Sequence, residues 1–121
     1  MPHIHLEYSD NLPSFEAKKV LKALNLAFFE SGHVSDLSDI KSRAVRQDSY
    51  VIGSGEGSSE AYLHAKVSLL TGRSLAVQQE ISELLLNVLQ QQVPPVAGLQ
   101  IQICVEMLEM NKETYSKQIV K

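Results

Sequence analysis

Twice along this chain the same plan is written: an alternating apolar run, then apolar residues at helical spacing, then a second alternating run. In the first unit Ile4, Leu6 and Tyr8 point one way and His3, His5 and Glu7 the other, the period of a half-buried strand. Ser9-Asp10-Asn11 supplies capping side chains and Pro13 suits a first helical turn. Ala17, Val20, Leu21, Leu24 and Phe28 then share one helical face, and Gly32 is the expected stop. Residues 40–45 read as a strand in which Lys41, Arg43 and Val45 share a face.

Residues 53–59, Gly-Ser-Gly-Glu-Gly-Ser-Ser, are expected to form a hairpin-like loop, after which the plan returns. Ala61, Leu63, Ala65, Val67 and Leu69 alternate with Tyr62, His64, Lys66 and Ser68. Gly72-Arg73-Ser74, with Ser74 as the capping serine, leads into a helix faced by Val77, Ile81, Leu84, Leu85 and Val88, which Val93-Pro94-Pro95 ends. A last strand carries Leu99, Ile101, Ile103, Val105 and Met107 opposite Gln100, Gln102, Cys104 and Glu106. Residues 112–121 read as a polar tail.

Each strand-helix-strand unit makes two parallel neighbours, and two units can share one sheet. The expectation is an α+β fold of two layers: duplicated β-α-β units forming a four-stranded sheet, with two helices on one face. The 121 residues fit one domain spanning 1–121. Two helices leave the other sheet face uncovered, and that face is expected to be buried by partner chains, so a monomer is disfavoured.

Composition removes several classes of function. Hydrophobic residues at 44% and charged residues at 21% describe a globular chain rather than a disordered one. A formal charge of −3 offers no basic footprint for nucleic acid. No apolar run reaches the roughly 18–20 residues needed to span a bilayer, and the start lacks the pattern of a secretion signal. One cysteine, Cys104, forbids an intrachain disulfide. A cytoplasmic protein is expected.

The chemistry starts at Met1-Pro2. Initiator methionine is usually removed ahead of a small residue such as proline, leaving a secondary amine. An α-amino group titrates near about 7.7–8.0, and a cationic or apolar pocket lowers it further. Such a base suits abstraction of an activated C–H proton. Arg43 on a strand and Arg73 at a helix start could fork carboxylates, and together with an amine would suit a dicarboxylate or tricarboxylate. His3, His5 and His64 could in principle approach a metal, but neither a His-Glu-x-x-His motif nor paired cysteines accompany them, and no metal site is expected. The glycine-rich loop precedes a strand rather than a helix, the wrong setting for a dinucleotide. Taken alone, the start leaves a non-catalytic module open beside a proline-based enzyme.

These residues resemble a family. Met1-Pro2-His3, Glu7 and Ser9-Asp10-Asn11, then Ile40-Lys41-Ser42-Arg43, Leu63-His64 and Gly72-Arg73-Ser74-Leu75, are similar in order and spacing to 5-carboxymethyl-2-hydroxymuconate isomerases of the tautomerase superfamily. The similarity runs over nearly the whole chain. It implies a homotrimer of two-unit chains and a cofactor-free isomerase of aromatic breakdown, moving a proton within an unsaturated tricarboxylate to give a 2-oxo isomer. By the same resemblance Pro2 would be the base, and Arg73, Arg43 and Lys41 would bind substrate carboxylates. Lys41 stands where family members carry arginine, keeping the charge and losing the bidentate fork. A dehalogenase or decarboxylase relative would need an added acid, for which Glu7 and Glu106 are the candidates.

Overall fold

In a computed structural model, residues 1–56 and 59–121 are described. The elements follow in the order β1 (His3–Ser9), α1 (Ala17–Glu30), a short 3-10 turn (Leu37–Asp39), β2 (Lys41–Gln47), β3 (Glu60–Leu70), α2 (Leu75–Gln92) and β4 (Gln100–Met110). They form a four-stranded sheet in the order β2-β1-β3-β4. β1 and β2 are parallel, as are β3 and β4, and the two units meet through an antiparallel β1–β3 pair. The α+β reading therefore holds, with the sheet mixed rather than parallel throughout.

Both helices pack on one face of that sheet. Ile4 and Leu6 of β1 and every second residue of β3 from Ala61 to Leu69 meet Val20, Leu24 and Phe28 of α1 and Ile81, Leu85 and Leu89 of α2 in one buried cluster. Each fully buried leucine or isoleucine here contributes roughly 1.5–3 kcal/mol. β4 is an edge strand, so its apolar residues Ile101, Ile103, Val105 and Met107 are only half-buried. The other sheet face carries His3, His5 and Glu7 on β1, in register with Lys41, Arg43 and Val45 on β2 and with Ser68, Lys66 and His64 on β3.

Two expectations need correction. α1 begins at Ala17, four residues after Pro13, and its N-cap Glu16 makes no side-chain cap bond. The side chains read as caps do other work: Ser9 Oγ accepts from the Tyr62 amide at 3.0 Å, and Asn11 Nδ2 donates to the Glu60 carbonyl at 2.8 Å. They continue the β1–β3 pairing beyond Tyr8↔Leu63, which delays the helix. In the second unit the expected cap holds, with Ser74 Oγ accepting from the Val77 amide at 3.2 Å. The glycine-rich connection is not hairpin-like either, because β1 lies between β2 and β3; Gly57 and Ser58 themselves lie outside the described residues. The polar tail, for its part, is tied back to the sheet. Tyr115 and Lys117 return to the start of β1, as detailed below.

Candidate active site

Register decides which ends meet. His3 sits beside Lys41 on one side and Ser68 on the other, and Leu70 beside Met110. The starts of β1 and β2 and the ends of β3 and β4 therefore converge at one edge of the sheet. Pro2 occupies that corner, fully buried. Its carbonyl accepts from the Lys41 amide at 3.1 Å, which ties the chain start into the sheet.

The terminal amine, carried in this chain by Met1, is held below its ordinary value of 8.0. Burial is the main cause, because an ammonium loses hydration there. The neighbouring charges of Arg73, Lys117 and Lys41 push the same way, and Asp39 opposes them. The corner is thus electropositive, with three cations against one carboxylate around the amine.

Arg73 and Lys41 are each held by a backbone carbonyl outside their own element. Gly72, at φ +124°, makes the turn out of β3 that only glycine adopts readily. Arg73 follows; its Nη2 donates to the His33 carbonyl at 3.1 Å, and its own carbonyl accepts from Gln78 Nε2 at 3.1 Å. Lys41 Nζ donates to the Asp39 carbonyl at 3.2 Å.

Arg43 is placed differently. Its Nη2 donates to His3 Nδ1 at 2.8 Å and its Nη1 to His5 Nε2 at 3.1 Å, along the open sheet face. A guanidinium can only donate, so His3 Nδ1 accepts and the proton of a neutral His3 sits on Nε2. That Nε2 then donates to the Tyr115 hydroxyl at 3.0 Å. The His3 pKa is correspondingly pulled below 6.5, by burial first and then by Arg43 and Lys41.

The structure thus brings Pro2, Lys41 and Arg73 together and links Arg43 to them through His3. Asp39, Lys117 and Tyr115 were missed in the sequence, since a short turn and a polar tail carry no periodic signal. Among the described residues no group of three or more His, Cys, Asp or Glu could hold a metal ion. His64 instead pairs with Glu106 at 2.8 Å, and Cys104 is exposed. An apolar cleft of about 200 Å³, lined by Leu12, Phe15, Val20, Val93 and Ile101 among others, lies at the opposite end of the strands from Pro2.

Against this geometry the family comparison is direct: the model of 5-carboxymethyl-2-hydroxymuconate isomerase matches residues 2–120. The chain belongs to that family. It is therefore one of the isomerases of the tautomerase superfamily. Its structure is similar to a 5-carboxymethyl-2-hydroxymuconate isomerase from Deinococcus radiodurans R1, with a TM-score of 0.88 and 27% identity over 97% of this chain and 88% of that one. A 5-carboxymethyl-2-hydroxymuconate delta-isomerase shares the fold at a TM-score of 0.83 and 20% identity, over 99% of this chain and 89% of that one. A fused wild-type 4-OT symmetric trimer shares it at 0.71 and 18%, over 92% and 87%. Among curated proteins no significant match is found.

Proposed function

We propose that this isomerase moves a proton within an unsaturated tricarboxylate, as in 5-carboxymethyl-2-hydroxymuconate isomerisation, with the Pro2 amine as the base once Met1 is removed. The observation that carries the reading is the electropositive corner around the chain start: a buried proline beside Lys41 and Arg73, with the amine there held below 8.0. Burial and the corner's cations favour the neutral form of an amine so placed, the form that can accept a proton from the substrate. The protonated amine then returns that proton to another position of the conjugated chain, so the net reaction consumes nothing and uses no cofactor. Arg73 and Lys41 bind substrate carboxylates and favour the enolate charge that builds between the two transfers. Arg43 serves the same anionic substrate from the sheet face.

We further propose that the chain works as one domain in a cytoplasmic homotrimer. The helix-free sheet face supports association, since it exposes Val45 and Leu108 among its polar residues. Among the described residues no helix is long and apolar enough to cross a membrane.

The test is turnover of 5-carboxymethyl-2-hydroxymuconate and of 2-hydroxymuconate by protein whose mass shows Met1 gone, paired with Pro2→Ala. General-base loss should lower kcat/KM by roughly 10²–10⁴-fold. Isomerisation that survives in Pro2→Ala would reject the proline base, and none by processed protein would reject the substrate class.

A further inference from the structure

The C-terminal segment carries more than a polar tail should. Chain ends are ordered only where contacts tie them down, and here two contacts do so at the active-site corner. Tyr115 Oη accepts a hydrogen bond from His3 Nε2 at 3.0 Å, and Lys117 Nζ lies 3.1 Å from Asp39 Oδ1. Asp39 anchors both lysines of the corner, Lys41 through its backbone carbonyl and Lys117 through its carboxylate. Neither member of the Asp39–Lys117 pair is fully solvated, with side chains 24% and 29% exposed.

An ammonium has three donors. Lys117 gives one to Asp39 and directs another at the Met1 sulfur, 2.9 Å away. A thioether is a weak acceptor, so that second donor is only loosely engaged. Met1 is also the residue whose removal bares the Pro2 amine. Its departure leaves Lys117 held by Asp39, with a donor turned toward the amine's surroundings, where a carboxylate would be a far stronger acceptor.

We propose that Lys117 is a substrate-binding residue that takes a substrate carboxylate, with Asp39 as the positioning residue that holds its ammonium at the site. The C-terminal segment then completes the active site, and Lys117 joins Lys41 and Arg73 as a third cation around the amine, with Arg43 on the sheet face beside them. This rests on the proline-base reading only for where the reaction occurs; carboxylate binding can be measured without turnover.

The experiment uses full-length protein with Met1 removed. Lys117→Ala should raise KM for 5-carboxymethyl-2-hydroxymuconate by about tenfold or more with kcat within about threefold, the loss of one charge-assisted hydrogen bond. Lys117→Arg should restore most of the affinity, and Asp39→Asn should raise KM by a smaller factor. If Lys117 only clasps the tail, Lys117→Ala will lower the melting temperature and leave KM unchanged, which overturns the proposal. Calorimetric titration with inert propane-1,2,3-tricarboxylate separates this from failure of the base. Binding weakened about tenfold in Lys117→Ala supports the proposal whether or not Pro2 proves catalytic; equal affinity in the two proteins, or none in the wild type, overturns it.

Discussion

The two β-α-β units repeat one hydrogen-bonding frame and differ in what they place on it. At the start of the first unit the Lys41 amide donates to the Pro2 carbonyl at 3.1 Å; at the start of the second the Gln100 amide donates to Ser59 at 2.8 Å. At their other ends Asp10 N donates to Gln47 O and Thr71 N to Met110 O. Because β1 and β3 are antiparallel, these equivalent corners lie at opposite ends of the sheet. One holds Pro2, Lys41, Arg73 and Lys117. The other holds Asp10, Asp48 and Glu60 around a pocket of about 330 Å³, where Tyr50 Oη donates to Asp10 Oδ1 at 3.3 Å. Burial, the main cause at both corners, favours the neutral form of each group; beyond it the Asp10 charge raises the Tyr50 pKa, while Arg73, Lys117 and Lys41 lower that of the amine against Asp39. Identical backbone topology thus carries opposite electrostatics. Ser59, in mid-chain, has an amide nitrogen with no basicity, so the frame alone makes no site.

Opposing substitutions at the two corners probe this most sharply. Arg73→Ala should lower kcat/KM by roughly 10²–10³-fold, if its guanidinium stabilises charge in the transition state, with the circular dichroism spectrum unchanged. Asp48→Asn, at the acidic corner, should leave kcat/KM within about twofold in the same assay. A comparable loss in both would mean that the corners are not functionally distinct.

The cores of the two units should by contrast behave alike. Leu24 and Leu85 are each fully buried under the same sheet face. Truncation of either to alanine should cost about 2–5 kcal/mol in urea unfolding, since each leaves a leucine-sized void. A much smaller loss at one would show that its unit is loosely packed.

The two serines that the sequence places ahead of the helices should separate. Ser9→Ala strands the Tyr62 amide beside a fully buried position, a loss of about 1–3 kcal/mol. Ser74→Ala removes one helix cap and should cost about 1 kcal/mol. Thermal unfolding of the two variants side by side checks the order.

The smallest effect concerns pH. His3 titrates below 6.5 in the folded chain, so the unfolded chain binds the extra proton first as pH falls. Its contribution should therefore be present above pH 6.5, fall as the solution is acidified, and level off below the folded pKa. His3→Asn should flatten that part of the stability profile, measured as the urea midpoint between pH 7.5 and 5. A steeper profile would reverse the assigned direction.

Much of the fold was legible because it is written in periodicity. The alternation from Ala61 to Leu69 appears in the structure as buried at every second residue, and Ile81 and Leu85 lie under the sheet as their spacing requires. The helical face simply runs one step further than expected, to Leu89. The local cap at Ser74 was readable for the same reason, as donor and acceptor lie three residues apart. Ser9 and Asn11 misled because their partners, Tyr62 and Glu60, are about 50 residues away. Of the site, Pro2, Lys41, Arg43 and Arg73 were named from the chain and its resemblance, whereas Asp39, Tyr115 and Lys117 were not.

The amino-acid order by itself determined two amphipathic β-α-β units and the residue types able to accept a proton or hold a carboxylate, since period and chemistry are local properties. Only the tertiary structure decided that the units join antiparallel and that Lys41, Arg73 and the tail meet at Pro2 while Arg43 turns to His3 and His5. The physical reason is that strand register and burial are set by contacts between residues far apart in sequence. Those same contacts set the local charge and hydration that pull the amine below 8.0.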